Sequence, residues 1–227
     1  MLVPVRSTII GTSLVLCALT ATTAEPVAEF FNGRDLTGWN DEPADMKYWT
    51  VADGAIVGSS TEKILHNTFL WSDTPVDNFY FVCDVRLTPN NGNAGIQFRS
   101  QRLEDGHAKG FQADIGAGWW GKLYHEHGRG LLDKNEAGNQ AVKPGDWNRY
   151  EILAVGDSIW TAINGKLCTA LKDPQGEQQG RIALQIHSGP PIKVEYRGLK
   201  LIKNPKLELV GLDEARLREA LQSPQKP

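Results

Sequence analysis

The stretch Gly110–Arg129 places Gln112, Asp114, Lys122, Tyr124 and Glu126 around a Gly/Trp turn. Read as two short strands, it sorts its side chains by parity. Phe111, Ala113 and Ile115 share one face with Leu123, whereas Gln112, Asp114, Lys122, Tyr124 and Glu126 share the other. A base, an acid, a cation and two hydrogen-bonding groups then converge on one side of a sheet whose reverse packs a core. The same parity adds Gln97 and Arg99 from Ala94–Ser100, and Gln185 and His187 from Gly180–His187. The bland alternative is a solvated sheet face. Against it stands the composition: Gln, Arg, Asp and His rather than Thr, Ser, Lys and Glu, with Trp119 and Trp120 at the rim. Indole faces beside amides and carboxylates are suited to holding sugar rings, so a small oligosaccharide or glycoside is the expected partner.

Four further histidines and a metal reading bear on this pattern. His125 and His127 flank Glu126, and parity puts them on the Leu123 side; near the strand end His127 has the option of the rim. Asp114, Glu126 and a histidine form a mixed oxygen/nitrogen set for a candidate divalent ion, with Asp114 its first ligand. His66 and His107 sit in loop-like surroundings and read as bystanders, although His107 is close enough in sequence to overhang the site strands. Nothing in the chain is a Walker loop, a G-x-S-x-G elbow, a dinucleotide-binding fingerprint or a paired C-x-x-C. A retaining glycosidase needs two carboxylates on its site strand, one of them a nucleophile. Gln112, where that nucleophile would stand, cannot form a glycosyl ester.

The elements that position these residues are short and β-rich. Phe79–Leu87 alternates strictly, and Tyr48–Val51, Ala55–Gly58, Ile64–Trp71, Trp147–Val155, Ser158–Ile163 and Ile192–Ile202 follow as strands. Asn164-Gly165 predicts a tight hairpin, Trp39 a lid on one end, Leu131–Gly145 a polar overhanging loop, and Asp213–Leu221 a short helix in an otherwise mobile tail. About a dozen strands with almost no helix predict an all-β, antiparallel two-sheet jelly-roll sandwich over residues 25–203, with residues 204–227 as its tail.

Arg6, the apolar run Ile9–Leu19 and the small-residue end at Ala24 read as a secretory signal peptide over residues 1–24, with cleavage after Ala24 or Ala21. The run is too short to span a bilayer. A secreted or periplasmic protein is expected. The formal net charge of −3 offers no basic field for nucleic acid and no polybasic patch for a membrane. Of the three cysteines, Cys17 falls in the leader, Cys83 on the core face of its strand, and a bridge from Cys83 to Cys168 is not favoured.

Taken together, NGRDLTGW, NAGIQFRS, GFQADIGAGWWGKLYHEHGRG, WNRYEI, INGK, ALQIHSGP and VEYRGLKL resemble the 3-keto-disaccharide hydrolase family, in order from Glu29 to Ile202. The Trp-Trp-Gly-Lys-Leu-Tyr run is most similar to a planctomycete-type branch. The resemblance implies a concanavalin-like fold and action on glycosides oxidised to a ketone at C3. Such a ketone acidifies the C2 hydrogen, so a base, an enolate stabiliser and an acid suffice. On this chemistry the base is His187 or Glu126, the enolate contact Arg99 or Lys122, and the leaving-group acid Tyr124 or the other carboxylate. Gln97, Gln112, Asp114, Trp119, Trp120 and Gln185 would hold the sugar. A carbohydrate-binding module without turnover is the other reading of the same face.

Overall fold

The computed structural model describes residues 23–27 and 29–222. The expected leader lies outside the described residues apart from Thr23 and Ala24. The described chain folds as two antiparallel sheets packed face to face. The back sheet contains β1 (Glu25–Pro26), β3 (Trp49–Ala52), β4 (Ala55–Ser60), β6 (Phe79–Thr88), β11 (Asn148–Val155), β12 (Ser158–Ile163), β13 (Lys166–Lys172) and β15 (Ile192–Lys203). Its order is β13-β12-β11-β6-β15-β4-β3, with β1 beside β15. The front sheet contains β2 (Trp39–Asn40), β5 (Thr68–Val76), β7 (Asn93–Arg102), β8 (Ala108–Gly116), β9 (Leu123–Glu126), β10 (Gly130–Asp133) and β14 (Gly180–Ile186). They run in the order β10-β9-β8-β7-β14-β5-β2. This is the jelly-roll sandwich that the alternation predicts.

Alternation fills the space between the sheets. Phe79, Phe81, Cys83, Val85 and Leu87 of β6 meet Ile96, Phe98, Phe111, Ala113, Ile115, Leu184 and Ile186 of the front sheet in one core. Phe98 stacks on Phe111 at 5.5 Å and takes Phe79 edge-on at 5.9 Å. Each such side chain contributes roughly 1.5–3 kcal/mol by leaving water. Cys83 and Cys168 are free thiols, both buried, and burial pushes the Cys168 thiol up to about 12.

Part of the outer face of the back sheet, over β11, β12 and β13, is covered by the end of the chain. Trp160 and Leu153 pack with Leu209 and Leu217, the latter from helix α2 (Glu214–Gln222; a short α1, Ala137–Ala141, precedes it in the chain). Trp160 donates its indole N–H to the Leu217 carbonyl at 3.0 Å, and Asp213 caps the helix by accepting the Arg216 N–H. The tail expected to be mobile is therefore docked as far as it is described. Two other expectations shift. The strand expected from Ile64 begins at Thr68 and runs to Val76, Ile64 making only an isolated bridge to Gly189. The expected loop at 131–145 holds β10 and α1, and it buttresses the Trp119 turn instead of overhanging the sheet: Gly118 N–H donates to Asn139, and Lys122 pairs with Glu136.

One irregularity shapes everything downstream. The β7–β8 ladder slips between Phe98 and Gln101, and Arg99 has φ +48°. This is a bulge: an extra residue on β7 bends the hairpin and increases its twist. Gly110 lies opposite, at φ +137°, and a Cβ there would come within 2.7 Å of Ser100 Cα. Gly110→Ala should therefore cost about 1–3 kcal/mol from backbone strain alone, more with the contact. Urea unfolding of the two proteins measures it; a loss below about 0.5 kcal/mol would show the bulge to be soft.

Candidate functional site

The outer side of the front sheet carries the polar positions that alternation singles out. There Asn93, Gln112, Asp114, Tyr124, Glu126 and His187, with Trp119 at the edge, line a hollow of about 170 Å³. Pairing puts them together: Gln112 lies opposite Tyr124, Gly110 opposite Glu126, and the His187 N–H bonds the Asn93 carbonyl at 3.2 Å. Gln112, Asp114, Tyr124, Glu126, His187 and Trp119 are thus gathered as the parity argument expects. Asn93, at the start of β7, was missed. Its place just before the alternating run gave no parity signal.

A line of hydrogen bonds crosses the floor. Ser100 Oγ donates to Gln97 Oε1 (2.9 Å), Gln97 Nε2 to Gln112 Oε1 (2.6 Å), and Gln112 Nε2 to Asp114 Oδ1 (2.6 Å). Gln112 can lean this way because its neighbour is Gly95: a Cβ at Gly95 would stand 2.6 Å from Gln112 Cδ. The other carboxyl oxygen of Asp114 is buried without a hydrogen-bond partner among the described residues. Burial raises the Asp114 carboxyl from 3.8 to about 7, against the lowering effect of the Gln112 bond; Glu126 raises it further and Lys122 lowers it. Burial also raises Glu126, with His127, His187 and His107 acting the other way. His187 Nδ1 lies 2.7 Å from the Ser188 carbonyl. A carbonyl only accepts, so Nδ1 donates to it, which leaves Nε2 as the ring nitrogen available for proton exchange.

Other expected members go elsewhere. Arg99 is turned off this face by the bulge: 1 % exposed, it donates Nε to the Asp77 carbonyl and Nη1 to the Gly156 carbonyl, 2.8 and 2.7 Å away. Ser100 takes the face position that parity gave to Arg99. Trp120 is not a rim residue; it is 1 % exposed, packed in the core, and donates its indole N–H to Asn90. Consecutive turn residues cannot both face out here, and only Trp119, 39 % exposed, does so. Lys122 lies over the Trp119 ring at 5.8 Å and pairs with Glu136 at 2.9 Å, which fixes it at the rim. Gln97 and Gln185 share the face but are fully buried. Gln97 positions Gln112, while both amide atoms of Gln185, whose backbone is paired with Gly95, lack partners among the described residues.

The histidines divide as parity suggests. His125 turns inward, accepting the Arg129 N–H at Nδ1 and meeting Glu177 at 2.7 Å through Nε2. His127, at φ +46°, leaves strand geometry and packs against His107, the ring centroids 4.8 Å apart and the planes tilted by 38°. His107 comes from the bent β7–β8 hairpin, whose tip descends on the outer face. Ala108 packs there on Phe69, Trp71 and Ala183, and Arg102 reaches Asp41 (3.1 Å) and Glu42 (3.0 Å). This small apolar patch closes one side of the face and leaves the hollow beside Trp119 open. His66 pairs with Asp45, outside the hollow. Among the described residues no three His, Cys, Asp or Glu side chains are grouped to hold a metal ion.

A jelly roll with a titratable hollow on its open sheet is the architecture of a carbohydrate-active domain. Residues 26–202 match the 3-keto-alpha-glucoside-1,2-lyase-like domain family, and the chain belongs to that family. Among solved structures it is similar to a protein of Parabacteroides distasonis provisionally described as a glycosyl hydrolase. That match has 21% identity and a TM-score of 0.60, covering 78% of this chain and 94% of that one. The carbohydrate-binding module CBM66 of Bacillus subtilis is similar at 15% identity and TM-score 0.55, covering 71% of this chain and 93% of that one. The kappa-carrageenase of Pseudoalteromonas carrageenovora is similar at 12% identity and TM-score 0.52, covering 82% of this chain and 97% of that one. These likenesses establish the fold, and they include both a hydrolase and a binding module. No curated protein sequence matches the chain. No helix among the described residues is long and apolar enough to cross a membrane.

The raised Asp114 carboxyl has a consequence for stability. Below about pH 3 it is neutral in both folded and unfolded chains and contributes nothing. As pH rises towards 7 the unfolded chain ionises first, so the folded state loses stability, and above 7 the penalty is complete. Asp114→Asn keeps an acceptor for Gln112 and removes the charge. It should be more stable than the parent at pH 8 and indistinguishable from it at about pH 3, as read by urea unfolding across pH. Asp41, raised to about 6 by burial, titrates in both proteins and cancels in the difference. A constant difference across the range would show that Asp114 is not held near neutrality.

Proposed function

We propose that this domain cleaves glycosides bearing a ketone at C3, by proton abstraction at C2 and elimination of the C1 substituent. One observation carries the reading: the hollow brings together an imidazole, His187, whose Nδ1 is held by the Ser188 carbonyl so that Nε2 is left for proton exchange, and a carboxyl, Asp114, that burial raises to about 7. The family membership and the glutamine at position 112 support it.

The chemistry follows from the groups present. His187 takes the C2 proton, and the electron pair is delocalised onto the C3 oxygen as an enolate. Asp114, protonated in part near pH 7, donates a hydrogen bond to that oxygen through its otherwise unpartnered edge. Collapse of the enolate forms the C1–C2 double bond and breaks the C1–O bond. Glu126, whose carboxyl burial raises, protonates the departing oxygen, with the Tyr124 hydroxyl beside it. Water adding across the double bond completes a hydrolysis; without that step the enzyme is a lyase. Trp119 stacks on the sugar, Asn93 and Gln112 take hydroxyl groups, and Lys122 adds positive potential at the rim; Gln185, fully buried, takes no part. The leader read in the sequence places this activity outside the cytoplasm.

The 3-keto derivative of p-nitrophenyl glucoside tests the proposal. The wild-type domain should release p-nitrophenol from it and not from the unoxidised glucoside. His187→Ala and Glu126→Gln should each slow release about 10²- to 10⁴-fold. Release unchanged in both variants would remove the hollow from the reaction. The second reading, a module that binds without turnover, is favoured by the side chains at the hollow that need no chemistry to be useful: Asn93, Gln112 and the exposed Trp119. Saturable binding of the keto-glucoside with no release by the wild type would establish it.

The architecture also makes a prediction about positioning. Gly95→Ala would drive Gln112 off its neighbour and break the bond to Asp114, losing an interaction that lowers the Asp114 pKa. The pH–rate profile should then move to higher pH on the limb that Asp114 controls, with the fold retained by circular dichroism. An unmoved profile with slowed release would instead mean that Gln112 contacts substrate alone.

A further inference from the structure

A second cavity, of about 640 Å³, lies at the end of the sandwich where the β7 bulge, the start of β14 and the end of β15 meet. Its charged lining is Arg99, Arg102, Arg181 and Lys203 against Asp77 and Glu177. Glu177 is engaged by His125 at 2.7 Å, and Arg102 is paired with Asp41 and Glu42. Arg181 lies over the Trp71 ring at 5.1 Å. Neither it nor Lys203 forms an ion pair among the described residues.

Arg99 is the anomaly. It is 1 % exposed, yet its guanidinium meets only the main-chain carbonyls of Asp77 and Gly156, and its Nη2 has no partner among the described residues. Asp77 and Asp157 are the acidic groups that act on it electrostatically, and neither forms an ion pair with it among the described residues. A buried charge without a counter-charge is costly, and burial lowers this guanidinium to about 10. The bulge that removes Arg99 from the hollow therefore fixes an unneutralised cation in the wall of a cavity with two free cationic heads. An incoming oxyanion would offset that cost, because its attraction to Arg99 acts through poorly screened protein.

We infer that this cavity binds a compact oxyanion, a sulfate, phosphate or carboxylate group, with Arg181 and Lys203 as its contacts and Arg99 as the fixed charge behind them. The site is separate from the hollow at Glu126 and His187, and its occupancy does not depend on the reaction proposed there. The oxyanion is either free in solution or carried on a sugar.

Titration calorimetry of the full chain at constant ionic strength tests the inference, with inorganic sulfate, glucose 6-sulfate and glucuronate as probes and uncharged glucose as control. Saturable binding of at least one anion is expected, weakened at least about tenfold in Arg181→Ala and Lys203→Ala and unchanged in Glu126→Gln. Binding of sulfate itself identifies a free-oxyanion site; binding confined to glucose 6-sulfate or glucuronate identifies a sugar-borne one. Release of p-nitrophenol from the keto-glucoside should be unaltered in Arg181→Ala and Lys203→Ala, which keeps the two sites distinguishable. No saturable binding of any of the three anions, or binding undiminished in a folded Arg181→Ala/Lys203→Ala double variant, would overturn it. Arg99→Met supplements these variants if it folds.

Discussion

The amide of Gln112 orders the open face of this domain. Its carbonyl accepts from Gln97 and its amino group donates to Asp114, so both ends are committed and the side chain lies flat. That posture is available only because Gly95 has no Cβ to obstruct it. One oxygen of Asp114 is satisfied by the bond and the other is buried in the wall of the hollow without a partner among the described residues. A buried carboxyl with one acceptor met and one free is what places its proton affinity near neutrality. Remove the amide bridge and the carboxylate has neither its orientation nor its moderated pKa.

Strand parity made most of the face legible in the sequence. Gln112, Asp114, Tyr124, Glu126, Gln185 and His187 lie where alternation puts them, because their strands are regular and their reverse sides are held by Phe111, Ala113, Leu184 and Ile186. The failures fall where regular pairing stops. Arg99 sits in a bulge, and one inserted residue exchanges the faces of the residues around it. Trp120 sits in the turn between β8 and β9, where adjacent positions do not alternate, and Gly138 has no Cβ to press on the Trp120 main chain. His127 has left strand geometry altogether. Gly110, whose φ only glycine adopts readily, was the one available sign of the bulge. The C-terminal helix was visible from Asp213 and its leucines, but its docking was not, because its partners Trp160 and Leu153 lie far away in sequence.

Displacing Arg99 has a chemical as well as a geometric meaning. An unpaired guanidinium over Asp114 and Glu126 would favour their charged forms and return both carboxyls towards ordinary acidity. Neither could then serve as a proton donor near pH 7. Lys122, the cation that does approach, is restrained by Glu136 and held over Trp119. The hollow therefore combines three histidines near Glu126 with carboxyls whose ionisation burial opposes. Stabilising an enolate through a neutral hydrogen-bond donor suits that environment better than stabilising it through a fixed cation, since the donor does not suppress the acid beside it.

The same rotation links the hollow to the cavity at the end of the sandwich. Ser100, brought onto the open face by the bulge, anchors Gln97 and hence the chain of bonds to Asp114. Arg99, one residue earlier, is sent to the opposite side and receives main-chain carbonyls from the two turns that follow β5 and β11. A carbonyl orients a guanidinium without cancelling its charge. The cost of keeping that charge buried is thus met only in part by the protein itself, whereas the single hydroxyl proton of Ser100 has acceptors in reach at Gln97 Oε1 and at the Phe98 and Phe111 carbonyls. A purely structural bulge would require Ser100 and Gly110 but no cation beside them: an apolar residue at position 99 would span the same gap without the desolvation penalty. The choice of arginine therefore points outward from the fold, to something that reaches the cavity carrying negative charge.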